Sequence, residues 1–473
     1  MEDQFSSGEV LEPIRPQEGP QTRAMECGAD ILIYGGQAGG GKTHFLIMDQ
    51  AQWAHVPGYT GMVFRRESTQ LTGPGSLVEA ASEIFPRVGG NMRMSAPQIC
   101  RFPNNGLVGF RHLQYEKDKE SHQGKAYAVI SFDELTHFTE TQFWYLVTRN
   151  RSTCAVESYV RCTCNPDADS WVRDFVDWWV GPDGFILPER DGVLRWMIRG
   201  ENDEGDDEIQ WADSPEELPV VQFKGEVVKP LSVTFIEAKL EDNPALMKSD
   251  PGYAARIANQ PKVERERLGL GNWNVSDQRG AEWGNEYFQD IWAERWPSEF
   301  DLSVVAVDAS ESGDGDDCGI VFVGLSGGKL YVDADIEPRP ASDVVPATAK
   351  MATAHLAGEI VFEKVGFQTL LKPEMERYLA ATVMPVAPVG LIEHHGVKKI
   401  VRIKRLGGYL LGGRIKLKKN RAGCKTLLRQ LKKTGVKGFH DDGPDALEMA
   451  IRRLNMIARS EMQSNTREEQ LVP

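Results

Sequence analysis

The sequence predicts an α/β protein made of two successive sheet-containing units. Three observations carry this. Apolar strand-like runs alternate with helical stretches between Ile31 and Pro166, the pattern of a largely parallel sheet covered by helices. A glycine-rich loop, GGQAGGGKT (35–43), joins the first strand to the first long helix. A fresh series of strands opens at Leu302 and closes on a helix that starts near Gly443.

In chain order, residues 1–24 are polar and Pro-rich, an arm expected to pack on a domain. ILIY (31–34) is a strand and HFLIMDQAQWA (44–54) a helix. The runs GMVFRRE (61–67), LVGFRHL (107–113), YAVISFDE (127–134) and SYVRCTCNP (158–166) are further strands. Residues 180–230, rich in Gly, Pro and acid, read as an insertion or mobile loop, and 251–268 as helical. Residues 272–299 carry four of the eleven tryptophans and read as a packed connection between domains. In the second unit SVVAVDAS, CGIVFVGL and KLYVDADIE form an antiparallel meander, with SGDGDD as its first turn and Asp317 as ordinary turn chemistry. A helix (342–357), the strand EIVFEK, a helix (369–381), basic segments and the helix PDALEMAIRRLNMIA follow. The polar tail from Ser460 is expected to be disordered.

Length and composition fit this plan. A chain of 473 residues suggests two or three domains. Hydrophobic content of 41% and charged content of 26% are ordinary for a globular protein. No apolar run is long enough to span a bilayer, and MEDQFSSGEV lacks the basic and apolar regions of a secretory signal. The chain is therefore expected in the cytoplasm where it is made, away from membranes. Seven cysteines without a CxxC pair argue against a zinc ribbon and for a reducing compartment. Cys162 and Cys164 should share one buried strand face. The net charge of −15 speaks against a nucleic-acid partner, yet His394–His440 holds 15 Lys or Arg and no Asp or Glu. The average conceals a local basic surface.

Gly36-Gln37-Ala38-Gly39-Gly40-Gly41-Lys42-Thr43 fits the phosphate-loop pattern in full, with a strand before and a helix after. Glycines let backbone N–H groups turn toward phosphates, and the helix N-terminus adds partial positive charge. Lys42 would neutralise β/γ-phosphate charge and Thr43 would hold Mg²⁺. YAVISFDE ends an apolar strand in Asp133 and Glu134, one carboxylate for the Mg²⁺ side and one to polarise the attacking water of ATP hydrolysis. Thr163 and Asn165 end the next strand, where polar groups can sense the γ-phosphate. Gln21 lies shortly before the first strand, placed to read an adenine edge.

Asp308 closes VVAVD, Glu363 closes EIVFE, and Asp442 and Asp445 flank the start of a helix in HDDGPDALEMA. Carboxylates at adjacent strand ends plus a nearby helix are what a two-metal phosphodiester site needs, and hard oxygen ligands suit Mg²⁺ or Mn²⁺. Strand-end and helix-cap acids are also common for capping alone. The basic run between Glu363 and Asp442 could then hold duplex phosphates beside the metals; the plain alternative is a solvated basic face.

The strings GGQAGGGKT, FDELTHFTETQF, RCTCNP, FIEAKLEDNPAL…DPGYAARI, GNWNV, VDAS, EIVFEK and HDDGPDAL resemble the large terminase subunit of tailed bacteriophages, over roughly residues 16–455. The resemblance implies an ASCE-type P-loop ATPase with a small lid, followed by an RNase H-like nuclease. It implies an N-terminal arm (1–24), an ATPase core (25–225), a lid and linker (226–297), a nuclease (298–458) and a disordered tail (459–473). It also implies ATP and Mg²⁺ as cofactors, with Mn²⁺ substituting at the nuclease, and double-stranded DNA, a small terminase subunit and a portal protein as partners. The working form would be a ring, usually a pentamer, transiently on the procapsid in the host cytoplasm and absent from the mature virion. Carried over, Gln21 and residues 36–43 bind nucleotide, Asp133 helps hold Mg²⁺, Glu134 is the catalytic carboxylate, and Thr163 and Asn165 couple hydrolysis to movement. Asp308 and Glu363 become metal ligands with Asp442 or Asp445. Where many relatives carry a trans-acting arginine, this chain reads His122-Gln123-Gly124-Lys125, which leaves Arg149, Arg151 or a residue elsewhere in the chain as candidates. Rival readings are a P-loop helicase or translocase whose C-terminal half only binds DNA, and a scaffold with a vestigial nucleotide site. Strand displacement would mark the first, and absence of ATPase activity the second.

Overall fold

The computed structural model describes residues 13–201, 207–275, 281–309, 317–364, 366, 368–382, 387–394, 396–436 and 440–469. Residues 1–12 of the expected arm and most of the SGDGDD turn, with the Asp317 side chain, lie outside them. The chain divides into two compact units, Met1–Gly200 with Ile209–Asp277, and Glu201–Glu208 with Gln278–Pro473. Among the described residues no helix is long and apolar enough to cross a membrane.

The first unit is built on strands β1 (Ile31–Gly36), β2 (Thr60–Arg65), β3 (Asn91–Arg93), β4 (Ile99–Arg101), β5 (Leu107–His112), β6 (Val129–Phe132), β7 (Tyr159–Cys164), β8 (Arg195–Glu201) and β9 (Asp207–Ala212). A two-stranded hairpin, β10 (Gln222–Phe223) and β11 (Glu226–Val227), precedes β12 (Leu231–Ala238). The sheet order is β3-β4-β5-β2-β6-β7-β1-β12-β8-β9, and the centre, β5 to β12, is parallel throughout. Parallel strands covered on both faces need continuous apolar runs. Accordingly every residue of β1 and β6 is buried, as are Cys162 and Cys164 on β7. The α/β class with a large parallel sheet is thus as the sequence predicts.

Four expectations change. Residues 180–230 are no loose insertion: β8 and β9 extend the main sheet, and Met197, Ile198 and Ala212 are buried. Surrounding acid and glycine hid their alternating apolar positions. Strand β12 falls within the segment expected to be lid, yet it pairs with β1. The helical stretch at 251–268 is broken into short turns, Tyr253–Ala258, Lys262–Glu264 and a π-turn over Arg265–Gly269. The last helix runs from Asp442 to Glu469, through much of the expected disordered tail.

The helix Lys42–Ala51 is fastened to β7 by buried charge. Asp49 lies 3.7 Å from Nε of Arg161 and accepts from the Tyr159 hydroxyl at 3.2 Å. The Arg161 guanidinium stacks 3.9 Å from the Tyr159 ring centre and donates to Ala29 O and Cys27 O. Burial pushes the Asp49 carboxyl up to about 6, against the attraction of Arg161. Arg161→Met would leave Asp49 buried without its countercharge. Breaking such a pair from one side typically costs about 3–5 kcal/mol, and urea unfolding of the first unit should show a loss of that order. An unchanged midpoint would refute the fastening role.

The second unit holds β13 (Leu302–Asp308), β14 (Asp317–Ser326), β15 (Lys329–Pro338), β16 (Glu359–Glu363), β17 (Val389–Ile392) and β18 (Ile415–Leu417). The order is β17-β16-β13-β14-β15-β18. β13, β14 and β15 form the expected antiparallel meander, and β16 and β17 add on parallel to β13. Helices Ala341–Ala354 and Gln368–Ala381 pack with Val305, Val307 and Phe362 on one face. The helix Ala422–Lys432 and the start of the last helix pack with Val304, Ala306 and Val361 on the other. The tryptophans of 272–299 do not form one connection: Trp273 joins the core of the first unit, and Trp283 that of the second.

Candidate active sites

In the first unit β1 runs straight into the glycine loop. Gly36 has φ 132°, and a Cβ there would meet Ala238 O at 2.5 Å, so only glycine lets the loop leave the sheet this close to β12. Gly41 (φ 74°) turns the chain into the helix Lys42–Ala51. The strand carrying Asp133 and Glu134 is separated from β1 by β7, which carries Thr163, with Asn165 just past its end.

These residues converge on the loop. The buried Lys42 donates to Asn165 Oδ1 at 3.0 Å and lies 3.4 Å from Gly36 O. Asn165 in turn donates to both oxygens of Glu134, from its backbone N–H at 3.0 Å and from Nδ2 at 2.7 Å. Glu134 is in the left-handed region, φ 57°, a costly conformation for a non-glycine residue that clusters at functional sites. The Thr163 hydroxyl donates to Asp133 Oδ1 at 2.7 Å. Burial lowers the Lys42 pKa, which Glu134 and Cys164 oppose, and burial raises that of Asp133.

Gln21 is buried, not a surface residue, and its Nε2 donates to Gly41 O at 2.9 Å. Thr43 is half-buried in the first turn of the helix. The amides of Gln37 and Ala38 donate to Ala238 O and Leu268 O, each at 2.8 Å, so these two point away from a phosphate. Asn243 Nδ2 donates to Gly39 O at 2.8 Å, and Gln37 Oε1 accepts from the Leu240 N–H at 3.1 Å. One residue escaped the sequence reading: Arg65, at the end of β2, forms an ion pair with Asp133. The pair RR in GMVFRRE was visible, but not that β2 lies beside β6. Of the candidate trans-acting arginines, Arg149 sits over the Tyr145 ring at 4.8 Å and Arg151 donates to Gly124 O at 3.2 Å.

In the second unit, parallel pairing of Val307 with Phe362 sets Asp308 and Glu363 side by side at the ends of β13 and β16. The last helix brings Asp445 to them. Its start fits because Gly319, paired with Asp308, has no side chain: a Cβ would meet Asp442 O at 2.7 Å. Ligand atoms of Asp308, Glu363 and Asp445 all lie within 4.8 Å of one another. Asp442 stands apart from that trio and meets Lys399 Nζ at 3.3 Å. Burial, then the nearby Asp308 charge, pushes the Asp445 carboxyl up to about 8, and burial pushes Asp442 up to about 6.

Neighbours brace the trio. Gln368 Nε2 donates to Asp308 Oδ1 at 3.0 Å. Arg402 bridges Glu363 Oε1 (3.2 Å) and Asp445 Oδ2 (2.6 Å), and His394 Nε2 lies 3.1 Å from Glu363 Oε1. Buried Asp445 Oδ1 has no hydrogen-bond partner, whereas Asp308 Oδ2 meets the Lys399 ammonium at 3.0 Å. An orphaned buried carboxylate oxygen is expensive, and an all-oxygen trio that holds one fits a hard divalent cation. The basic run is also resolved by direction. Lys399, Arg402, Lys404 and Arg405 face carboxylates of their own unit, whereas Lys398 and Lys419 are exposed.

A phosphate-loop unit with a strand-end Asp-Glu pair, followed by a unit with an acidic trio on adjacent strands, defines a nucleotide-binding protein with a second, metal-type centre. Residues 33–289, more than half of the chain, match the family model described as "Terminase large subunit, T4likevirus-type, N-terminal". The chain belongs to the large terminase subunit family. Among solved structures it is similar to the large terminase from a thermophilic bacteriophage, with 14% identity, 92% of this chain and 98% of that chain covered, and a TM-score of 0.38. The HK97 bacteriophage large terminase gives 12%, 93%, 96% and 0.41. The bacteriophage Phi-29 viral genome packaging motor assembly gives 12%, 88%, 97% and 0.36. No curated protein matches the chain.

Proposed function

We propose that this chain is a viral DNA-packaging motor that hydrolyses ATP to move double-stranded DNA into a procapsid and cuts the concatemer at a two-metal centre. Membership of the large terminase family supports the packaging role. The observation that carries the nuclease half is the convergence of Asp308, Glu363 and Asp445. Three antiparallel strands followed by two parallel ones support an RNase H-like reading of that unit.

At the phosphate loop, Lys42 meets the β/γ-phosphates, and Thr43 and Asp133 hold the Mg²⁺. Glu134 orients and polarises the attacking water. Asn165 holds both Lys42 and Glu134. A triphosphate that draws Lys42 toward itself changes what Asn165 holds, and so links phosphate occupancy to β7. Arg65 supplies a cation in cis beside Asp133.

At the acidic centre, Asp308, Glu363 and Asp445 would hold one divalent ion, and Asp308 with Asp442 a second. When bound, such ions activate water and stabilise the leaving oxygen of a phosphodiester. Gln368 aims Asp308, and Arg402 and His394 aim Glu363. Exposed basic residues such as Lys398 and Lys419 meet backbone phosphates. The working assembly is a ring, a pentamer by family resemblance, with the portal protein and a small terminase subunit on the procapsid in the host cytoplasm.

The test is paired. Purified protein should release phosphate from ATP with DNA present, and should cleave plasmid DNA in Mn²⁺ without ATP. Strand displacement without cleavage would instead favour a helicase.

A further inference from the structure

The short helix Lys399–Ile403 sends two cations into the acidic centre, and the two differ. Arg402 is buried, with 5% of its side chain exposed, between Glu363 and Asp445. Lys399 is 33% exposed, and its Nζ lies 3.0 Å from Asp308 Oδ2, 2.7 Å from Asp441 Oδ1 and 3.3 Å from Asp442 Oδ1. Arg402 is a fixed brace. Lys399 is a compact charge on a flexible, solvent-reachable stem, set among the carboxylates of Asp308, Asp441 and Asp442.

We propose that Lys399 is a built-in counter-cation that takes the second-ion position between Asp308 and Asp442 while no DNA is present. This rests on the nuclease reading of the centre. The trio Asp308, Glu363 and Asp445 then takes one divalent ion readily. A second ion must displace an ammonium already neutralising its ligands, and like charges a few ångströms apart repel strongly in a partly buried site. A DNA phosphate changes the balance. It offers Lys399 another anion within reach of its stem, frees Asp442, and adds negative charge to the position. Full metal loading is thereby tied to seated DNA and not to free ion concentration.

The experiment is calorimetric titration of Mn²⁺ alone into the full-length protein without DNA or nucleotide, with Asp308→Ala defining which binding belongs to this centre. Wild type should show one strong Asp308-dependent site. Lys399→Met, which keeps the stem and removes the charge, should tighten a second Asp308-dependent site by about tenfold or more. Lys399→Gln should do the same, and Lys399→Arg should behave as wild type. Superimposable wild-type, Met and Gln isotherms, or weaker binding in folded Met and Gln variants, would overturn the proposal and leave the metal centre standing. Absence of any Asp308-dependent Mn²⁺ binding in all of them would overturn the nuclease reading itself.

Discussion

Asp308→Ala is expected to abolish plasmid cleavage in Mn²⁺ while ATP hydrolysis continues. Asp308 is the shared residue of the acidic centre: it belongs to the trio with Glu363 and Asp445 and also meets Lys399. Removing it takes a ligand from both proposed ion positions and leaves Gln368 Nε2 with only Ala309 O. Ions at such a centre supply several kcal/mol of transition-state stabilisation, so cleavage should fall by about a thousandfold or more. Lys399 keeps Asp441 and Asp442 as partners, so the fold should hold, and circular dichroism would verify it. A folded Asp308→Ala protein that still degraded plasmid at the wild-type rate would refute the assignment.

Lys42→Ala is expected to have the converse effect. It deletes the charged group that bridges the loop carbonyls and Asn165. Loss of one positioned electrostatic donor typically costs about 10²–10³ in rate, and DNA-stimulated phosphate release should drop by at least that much. Glu134→Gln should be as severe for turnover while sparing ATP binding, because an amide cannot draw a proton from water. Plasmid cleavage without ATP should survive both changes. Unimpaired phosphate release by Lys42→Ala would show that this loop is not the hydrolytic site.

Much of both centres was legible because their signals are local. The phosphate loop needs eight consecutive residues with a strand before and a helix after, and each piece is read within one window. Asp308 and Glu363 each close an apolar run, so their placement at strand ends follows from period and length. What was not legible depends on which strands are neighbours. Arg65 reaches Asp133 only because β2 lies beside β6. The choice between Asp442 and Asp445 stayed open in the sequence, since both lie in the first turn of one helix. The geometry groups Asp445 with Asp308 and Glu363. Charge counting failed differently: the run from His394 to His440 shows how much positive charge is present but not where it points. Lys399 and Arg402, read there as a surface for DNA, turn inward to carboxylates. The strands β8 and β9 were missed because acid-rich surroundings masked their apolar alternation.

The contact between Gly319 and the start of the last helix governs how the acidic centre can be damaged or tuned. With no space for even a methyl group beside Asp442 O, any side chain at 319 must lever the helix outward and carry Asp445 with it. Position 319 touches no reacting atom, yet it fixes the aperture of the centre. A variant there would retain every acidic residue and still misplace Asp445, a defect of alignment that a catalogue of ligands would overlook.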